Sequence, residues 1–228
     1  MSMNALIVGA GSGISAAFAR ALAKDGFKLA LAARDAGKLT GLASETGALA
    51  IACDASKPAE VAALFQRTDA HFGAPDVVLF NASARARGPL TDLRQEDVAE
   101  ALAVGAFGGF LIGQQAARRM LPQGSGAIFF TGASASIKGY AQSAPFAMAK
   151  FALRGLAQSM ARELAPKGIH VAHFVIDGGV RSPAYGGSGG PDSALEPEAI
   201  AQAYMSVLKQ PRSAWTWELE LRPWVEKF

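Results

Sequence analysis

Short apolar runs alternate along this chain with longer stretches in which apolar residues recur every three or four positions. The runs 5–9, 28–33, 48–53, 76–80, 127–131 and 169–176 are almost continuously apolar, which predicts strands buried on both faces. The intervening stretches, near 14–24, 36–46, 59–72, 96–120 and 146–165, have helical periodicity. Strand–helix alternation of this kind requires right-handed crossovers and builds a parallel, doubly wound α/β sheet with helices on both faces.

The punctuation agrees. Asp25-Gly26 and Lys167-Gly168 read as helix ends, and Gly73-Ala-Pro75 leads Asp76 into a strand. Ser56-Lys-Pro58 reads as a capped helix start with proline in the first turn. Residues 182–197 are rich in Gly, Ser and Pro and are expected to form a lid. Residues 215–221 alternate large apolar and polar side chains, predicting an added strand at the sheet edge within the tail 215–228. No repeat or linker divides residues 1–228, so one domain is expected.

Composition narrows the function classes. The net charge of +3 comes from scattered Lys and Arg, with no basic block of the kind that tracks a phosphate backbone, so nucleic acid is not expected as a partner. The basic balance does favour an anionic small molecule. The single cysteine, Cys53, sits in the apolar run 49–53 and has no intrachain disulfide partner, which suits a reducing compartment. Met1-Ser-Met-Asn4 lacks the basic segment of a signal peptide, and the uncharged stretch 101–114 is too short and glycine-rich to span a bilayer. A cytoplasmic protein without a membrane partner is the expectation.

Chemistry enters at the first strand end, where Gly9-Ala-Gly11-Ser12-Gly13-Ile14 runs directly into a helix pattern. Glycine permits the tight turn and the close approach of a pyrophosphate to helix N-terminal amides. Glycines also mark ordinary turns, and it is the strand–loop–helix context that favours a Rossmann-type dinucleotide site. At the end of the second strand the sequence is Leu31-Ala-Ala-Arg34, with no carboxylate to hold the ribose hydroxyls of NAD. An arginine there can pair with a 2′-phosphate, which favours NADP(H) over NAD(H); the alternative is a solvated arginine followed by the cap residue Asp35.

With that loop placed, the chain resembles the short-chain dehydrogenase/reductase family. The family's TGxxxGxG motif corresponds to Val8-Gly-Ala-Gly-Ser-Gly-Ile-Ser15, with Ser15 in place of the last glycine. The resemblance implies that Asp54, followed by Ala55, contacts adenine, that Asn81-Ala82 represents the turn after the fourth strand, and that Gly178, Val180 and Ser182 lie near the nicotinamide carboxamide. The family's YxxxK signature appears as Phe146-Ala-Met-Ala-Lys150, so Lys150 matches the lysine and Phe146 occupies the tyrosine position. The serine position falls on Ala133, with Ser134 one residue later, and the asparagine position on Gly105. Three of the four positions of the usual proton relay therefore lack their side chain.

Phe146 cannot donate a proton, a contribution of about 10²–10⁴-fold in rate. Replacement donors lie between the fifth strand and the Phe146 helix: Ser134, Tyr140 and Ser143. Bland readings compete, with Tyr140 as a loop aromatic and Ser143 as a helix-start residue. Asp177 reads equally as a polar anchor or as part of an Asp-Gly turn. Arg85 and Arg87 hint at an anionic group on an otherwise unreadable substrate, or form a solvated loop. His71, His170 and His173 have no metal-like company and read as capping or packed residues.

Two principal readings follow. One is an NADP(H)-dependent oxidoreductase that transfers hydride to or from a small carbonyl or alcohol with a non-standard donor. The other is an impaired dinucleotide-binding protein acting as sensor or oligomeric partner. An oligomeric scaffold with no cofactor is a weaker third. The resemblance also implies a homodimer or homotetramer through the central helices. The small residues of 99–115 suit packing on another copy or on the chain's own sheet.

Overall fold

The computed structural model describes residues 3–182, 190 and 192–226. Among the described residues seven strands form one sheet: β1 (Asn4–Val8), β2 (Lys28–Ala33), β3 (Leu49–Ala52), β4 (Val77–Phe80), β5 (Gly126–Thr131), β6 (Ile169–Ile176) and β7 (Glu218–Leu221). Their order is β3-β2-β1-β4-β5-β6-β7, and every pairing is parallel. The chain starts in the middle, winds outward to β3, then crosses back past β1, so the order reverses between β1 and β4. A crevice opens at that switch point, beyond the carboxyl ends of the strands.

Alternate strand residues feed two cores. Ile7, Leu31, Phe129 and Phe174 pack against α1 (Ile14–Lys24) and α7 (Pro197–Leu208), through Phe18, Leu22 and Tyr204. Val8, Phe80, Ile128 and Val171 face α3 (Pro58–Phe72), α5 (Gly108–Met120) and α6 (Ala144–Leu164). Both sheet faces are buried, which is why the strands read as continuous apolar runs.

Several elements differ from the sequence reading. The predicted helix 36–46 divides into a 3₁₀ turn (Ala36–Leu39) and α2 (Thr40–Thr46). Helix 96–120 is not continuous: α4 (Gln95–Leu102) passes through a π turn (Ala103–Phe107) into α5. At that turn Gly105 approaches α6 so closely that a Cβ on it would lie 2.9 Å from Ala149 Cβ, a long-range contact that periodicity does not reveal. Ser56 does not cap α3. Its hydroxyl donates to Asp54 Oδ1 at 2.7 Å, and Lys57 occupies the cap position without a side-chain bond, although Pro58 opens the helix as expected. Strand β4 begins at Val77, while Asp76 accepts the Asn4 N–H at 2.7 Å.

Helix α7 was not anticipated, although Ile200, Ala201, Tyr204, Met205 and Leu208 follow the helical period behind Pro197. The edge strand is present but shorter than 215–221, since Trp215 leaves the sheet to stack on His170. Of the predicted lid, residues 183–189 and 191 lie outside the described residues; Leu195 forms an isolated parallel bridge with Val180. The central-helix glycines pack inward, Gly108 on the Ala55 carbonyl and Gly109 on Leu153. Phe107, Phe110, Met148 and Phe151 are left exposed outside. Among the described residues no helix is long and apolar enough to cross a membrane.

Candidate dinucleotide and substrate cleft

The glycine loop sits at the head of the crevice. Gly9 has φ +79°, and a Cβ there would fall 2.3 Å from the Ala82 nitrogen, so only glycine lets the β1 and β4 turns meet this closely. Gly11 and Gly13 face open space, which leaves the first turn of α1 uncovered. Gly13 is the backbone cap of α1. The departure at Ser15 has a physical reason: its buried hydroxyl donates to the Gly9 carbonyl at 3.2 Å and accepts from Asn81 Nδ2 at 2.9 Å. It thus ties the glycine loop to the turn after β4.

From this loop a cavity of about 690 Å³ runs over the ends of β2 and β3. It collects Gly9, Gly11 and Ser12 with Arg34, Asp54, Ala55, Asn81 and Ala82, all anticipated from sequence. Arg34 is 70% exposed in its side chain and only 3.5 Å from Glu100 Oε1, a loose surface pair that leaves it free to engage a ligand. Asp35 also lines this cavity, capping the 3₁₀ turn by accepting from the Gly37 N–H at 3.0 Å and lying 3.9 Å from Lys38 Nζ. Asp54 is held below the usual carboxylate range, first by the Ser56 hydroxyl. Sequence reasoning missed Lys38, Leu39 and Val104 in this cavity, although Lys38 lies one helical turn beyond Arg34. Cys53 lines it too, but burial pushes its thiol up to about 11, so it is inert as a nucleophile at neutral pH.

Through shared walls at Asn81 and Ser83 this space continues into a second cavity of about 630 Å³ between β4, β5 and β6. Ile14, Lys150, Gly178 and Val180 border it, as expected, with Ala133 and Phe146. Ser182 is exposed and lines neither cavity. Thr131 and Gly179 are additional lining residues. A third cavity of about 610 Å³ lies outside the second and holds Ser134, Tyr140, Ser143 and Asp177. Tyr140 is 45% exposed at its rim. Ser143 stands at the start of α6 but makes no side-chain cap. Asp177 is buried and accepts from Lys138 at 3.4 Å.

Phe146 and Ala133, which the resemblance sets at the tyrosine and serine positions, pack together with Ala135 into a small apolar cluster. The Arg85 guanidinium stands 4.2 Å from the centroid of the Phe146 ring, and Lys150 Nζ is 5.7 Å from it. Lys150 is 4% exposed and donates to the Thr131 carbonyl at 2.7 Å. Burial, and secondarily Arg85, push its ammonium down to about 7.

Behind this wall runs a polar chain that the sequence did not suggest. Arg154 of α6 grips Glu218 of β7 through two bonds, at 2.6 and 2.8 Å. Glu218 accepts from His173 Nδ1 at 3.1 Å, which leaves Nε2 to accept the Ser136 hydroxyl at 3.3 Å. Ser136 in turn accepts the Ala133 N–H at 3.1 Å. Burial pushes His173 down to about 4 despite Glu218, so the imidazole is neutral near pH 7. His173 and Ser136 are fully buried, so the chain braces the β5 loop rather than presenting a nucleophile. Gly132 is part of the same fit, since a Cβ there would meet His173 Nε2 at 2.3 Å.

A parallel sheet whose first strand enters a glycine turn and helix, with a cleft at the switch point, defines a Rossmann-type dinucleotide fold. The sequence profile described as short chain dehydrogenase matches residues 3–186. The chain belongs to the short-chain dehydrogenase/reductase family, oxidoreductases that bind NAD or NADP. Among solved structures it is similar to a short-chain dehydrogenase from Rhodopseudomonas palustris, 38% identical with a TM-score of 0.85, covering 97% of this chain and 99% of that one. It is also similar to an alcohol dehydrogenase from the archaeon Thermococcus sibiricus, complexed with 5-hydroxy-NADP. The two are 30% identical with a TM-score of 0.85, and the match covers 100% of this chain and 99% of that one. An uncharacterised oxidoreductase of Staphylococcus aureus is 28% identical over 96% of each chain.

Proposed function

We propose that this protein is an NADP(H)-dependent oxidoreductase acting on a small carbonyl or alcohol substrate, with Lys150 exchanging the proton that the family's tyrosine would handle. The observation that carries this reading is the pair of adjoining cavities, one from the glycine loop to Arg34 and one holding Lys150, which share the walls Asn81 and Ser83. The residues present fit a dinucleotide: the α1 turn is open above Gly11 and Gly13, and Arg34 and Lys38 border the end of the cavity where a 2′-phosphate would lie, with Asp35 beside them held by the Gly37 N–H and loosely by Lys38. The relative from Thermococcus sibiricus carries an NADP derivative, which supports the same preference.

In this reading the glycine loop, Ser12 and Ile14 hold the pyrophosphate. Arg34 takes the 2′-phosphate, Asp54 and Ala55 the adenine. Asn81 and Ala82 hold the adjoining ribose wall, and Gly178 and Val180, with Ser182 near them, the carboxamide end. Bound nicotinamide supplies or accepts hydride. Lys150 borders the same space, and an ammonium that titrates near 7 is matched to proton exchange at neutral pH. Ser134 and Tyr140 line the outer mouth, where they contact substrate.

Fluorescence titration tests the reading: NADPH is expected to quench tryptophan emission at lower concentration than NADH. Equal failure of both cofactors would overturn it. Reduction should fall as pH rises through about 7, because the donor must be protonated, and a flat profile would remove Lys150 from the role.

A second reading, a non-catalytic dinucleotide binder, is favoured by the apolar cluster of Ala133, Ala135 and Phe146. Binding without turnover over a broad carbonyl panel would select it. In either case the exposed Phe107, Phe110, Met148 and Phe151 form the contact between copies in a homodimer or homotetramer, which Phe151→Asp should dissociate in sedimentation.

A further inference from the structure

Two arginines of the loop after β4 stand over the deep end of the cleft. Arg85 and Arg87 both line the inner cavity that holds Lys150 and the outer cavity that holds Ser134 and Tyr140. The loop that carries them is tied to the approach to α6, since the Gly88 N–H donates to the Gln142 carbonyl at 3.1 Å. Arg85 stacks over Phe146 at 4.2 Å, on the ring that replaces the family's tyrosine.

Among the described residues neither arginine has an ion-pair partner within 4.0 Å. Of the acids bordering the outer cavity, Asp177 is taken by Lys138, and Glu226 lies beyond salt-bridge reach of both arginines. Three cations, Arg85, Arg87 and Lys150, thus face one space. Loss of solvent, and then Arg87, hold the Arg85 guanidinium below its ordinary protonation range. A single cation–π contact is weak against the mutual repulsion of partly desolvated charges. An anion entering the space would offset it, and a guanidinium fork matches an oxyanion in a way that a lysine does not.

We propose that Arg85 and Arg87 bind an anionic oxygen group of the substrate, a carboxylate or a phosphate, so that the protein acts on charged carbonyl compounds in preference to neutral ketones. This rests on the reading of the inner cavity as the reacting end of the cleft. Phe146 is then the platform that orients Arg85 toward the substrate, and the lost tyrosine hydroxyl and the gained cation are one exchange at one place.

Three probes sharing a phenyl ring separate the outcomes: benzoylformate, phenyl phosphate and acetophenone. Their binding is measured by ligand-observed NMR in two settings, with saturating NADPH and in cofactor-free protein carrying Arg34→Gln, where the other phosphate-binding arginine is removed. At least one anionic probe is expected to bind about tenfold or more tightly than acetophenone, and to lose that advantage in Arg85→Gln and in Arg87→Gln. Whichever of benzoylformate and phenyl phosphate binds better identifies the anionic group. NADPH affinity and thermal midpoint should be unchanged in both variants, as among the described residues neither side chain forms an ion pair that holds the fold. Equal binding of neutral and anionic probes, no binding of any probe, or anion affinity unchanged in the glutamine variants would overturn the proposal. Loss of NADPH binding alone would overturn the cofactor reading and leave the anion site to be decided by the cofactor-free arm.

Discussion

The two ends of the cleft are built from different material. At the glycine loop the groups proposed to recognise the cofactor are backbone amides, positioned by Gly9 against Ala82 and by the Ser15–Asn81 bond. At the other end the family's relay depends on side chains, and the resemblance puts its serine, tyrosine and asparagine positions at Ala133, Phe146 and Gly105. A backbone device tolerates Ser15 in place of glycine, because the hydroxyl finds two local partners. A side-chain device cannot tolerate Phe146 without changing its chemistry. That end holds an apolar cluster under Arg85 with the buried Lys150 beside it.

The sharpest way to break this contrast is to return the missing hydroxyl. Phe146→Tyr should raise carbonyl reduction about 10²–10⁴-fold if the rest of the relay is competent, as read by NADPH consumption. Turnover that appears only in the variant would mark the natural chain as a binder. Restoring asparagine at Gly105 is blocked, because even a Cβ there meets Ala149 at 2.9 Å.

At the glycine-loop end the matching experiment is Gly9→Val. It forces a β-branched residue to φ +79° and into the Ala82 backbone, so a loss of about 3 kcal/mol in urea unfolding is expected, together with cofactor binding. A variant of unchanged stability would show that the two turns do not need their close approach.

Lys150→Met should separate stability from function. The unfolded lysine keeps its proton up to its ordinary 10.5, whereas the folded one releases it near 7. Folding therefore bears the cost of a buried ammonium below about pH 7, and that cost fades as pH rises toward 10.5. Methionine should stabilise by about 2 kcal/mol at pH 6, partly offset by the unpaired Thr131 carbonyl, and the gain should shrink at alkaline pH while activity is lost. A destabilised variant at pH 6 would mean that the lysine is held by more than its bond to Thr131.

The smallest effect concerns selectivity. Arg34→Glu should weaken NADPH by about tenfold and leave NADH nearly unchanged, since the arginine is exposed and is already loosely paired with Glu100. Equal weakening of both cofactors would assign Arg34 to general electrostatics instead.

Much of this could be read directly along the chain. Runs such as 127–131 and 169–176 are apolar on both faces because β5 and β6 are covered on both sides, and that local pattern alone identifies a buried parallel sheet. The glycine loop and Arg34 were legible because each directly follows a strand end, whereas Lys150, inside α6, was read from the resemblance to the family's YxxxK signature. Helix α7 was legible too and went unread beside the glycine-rich segment before it.

Other features depend on residues far apart in sequence. The π turn answers to Gly105 against Ala149, forty-odd positions later. The brace behind the loop joins Ser136, Arg154, His173 and Glu218 from four separate elements. The seating of Arg85 on Phe146 joins a β4 loop to α6. Periodicity and local spacing encode which elements form and where their ends lie, since those depend on neighbours a few residues away. Which side chains share a desolvated space is settled by packing across the sheet, and the charge balance of the cleft follows from that packing.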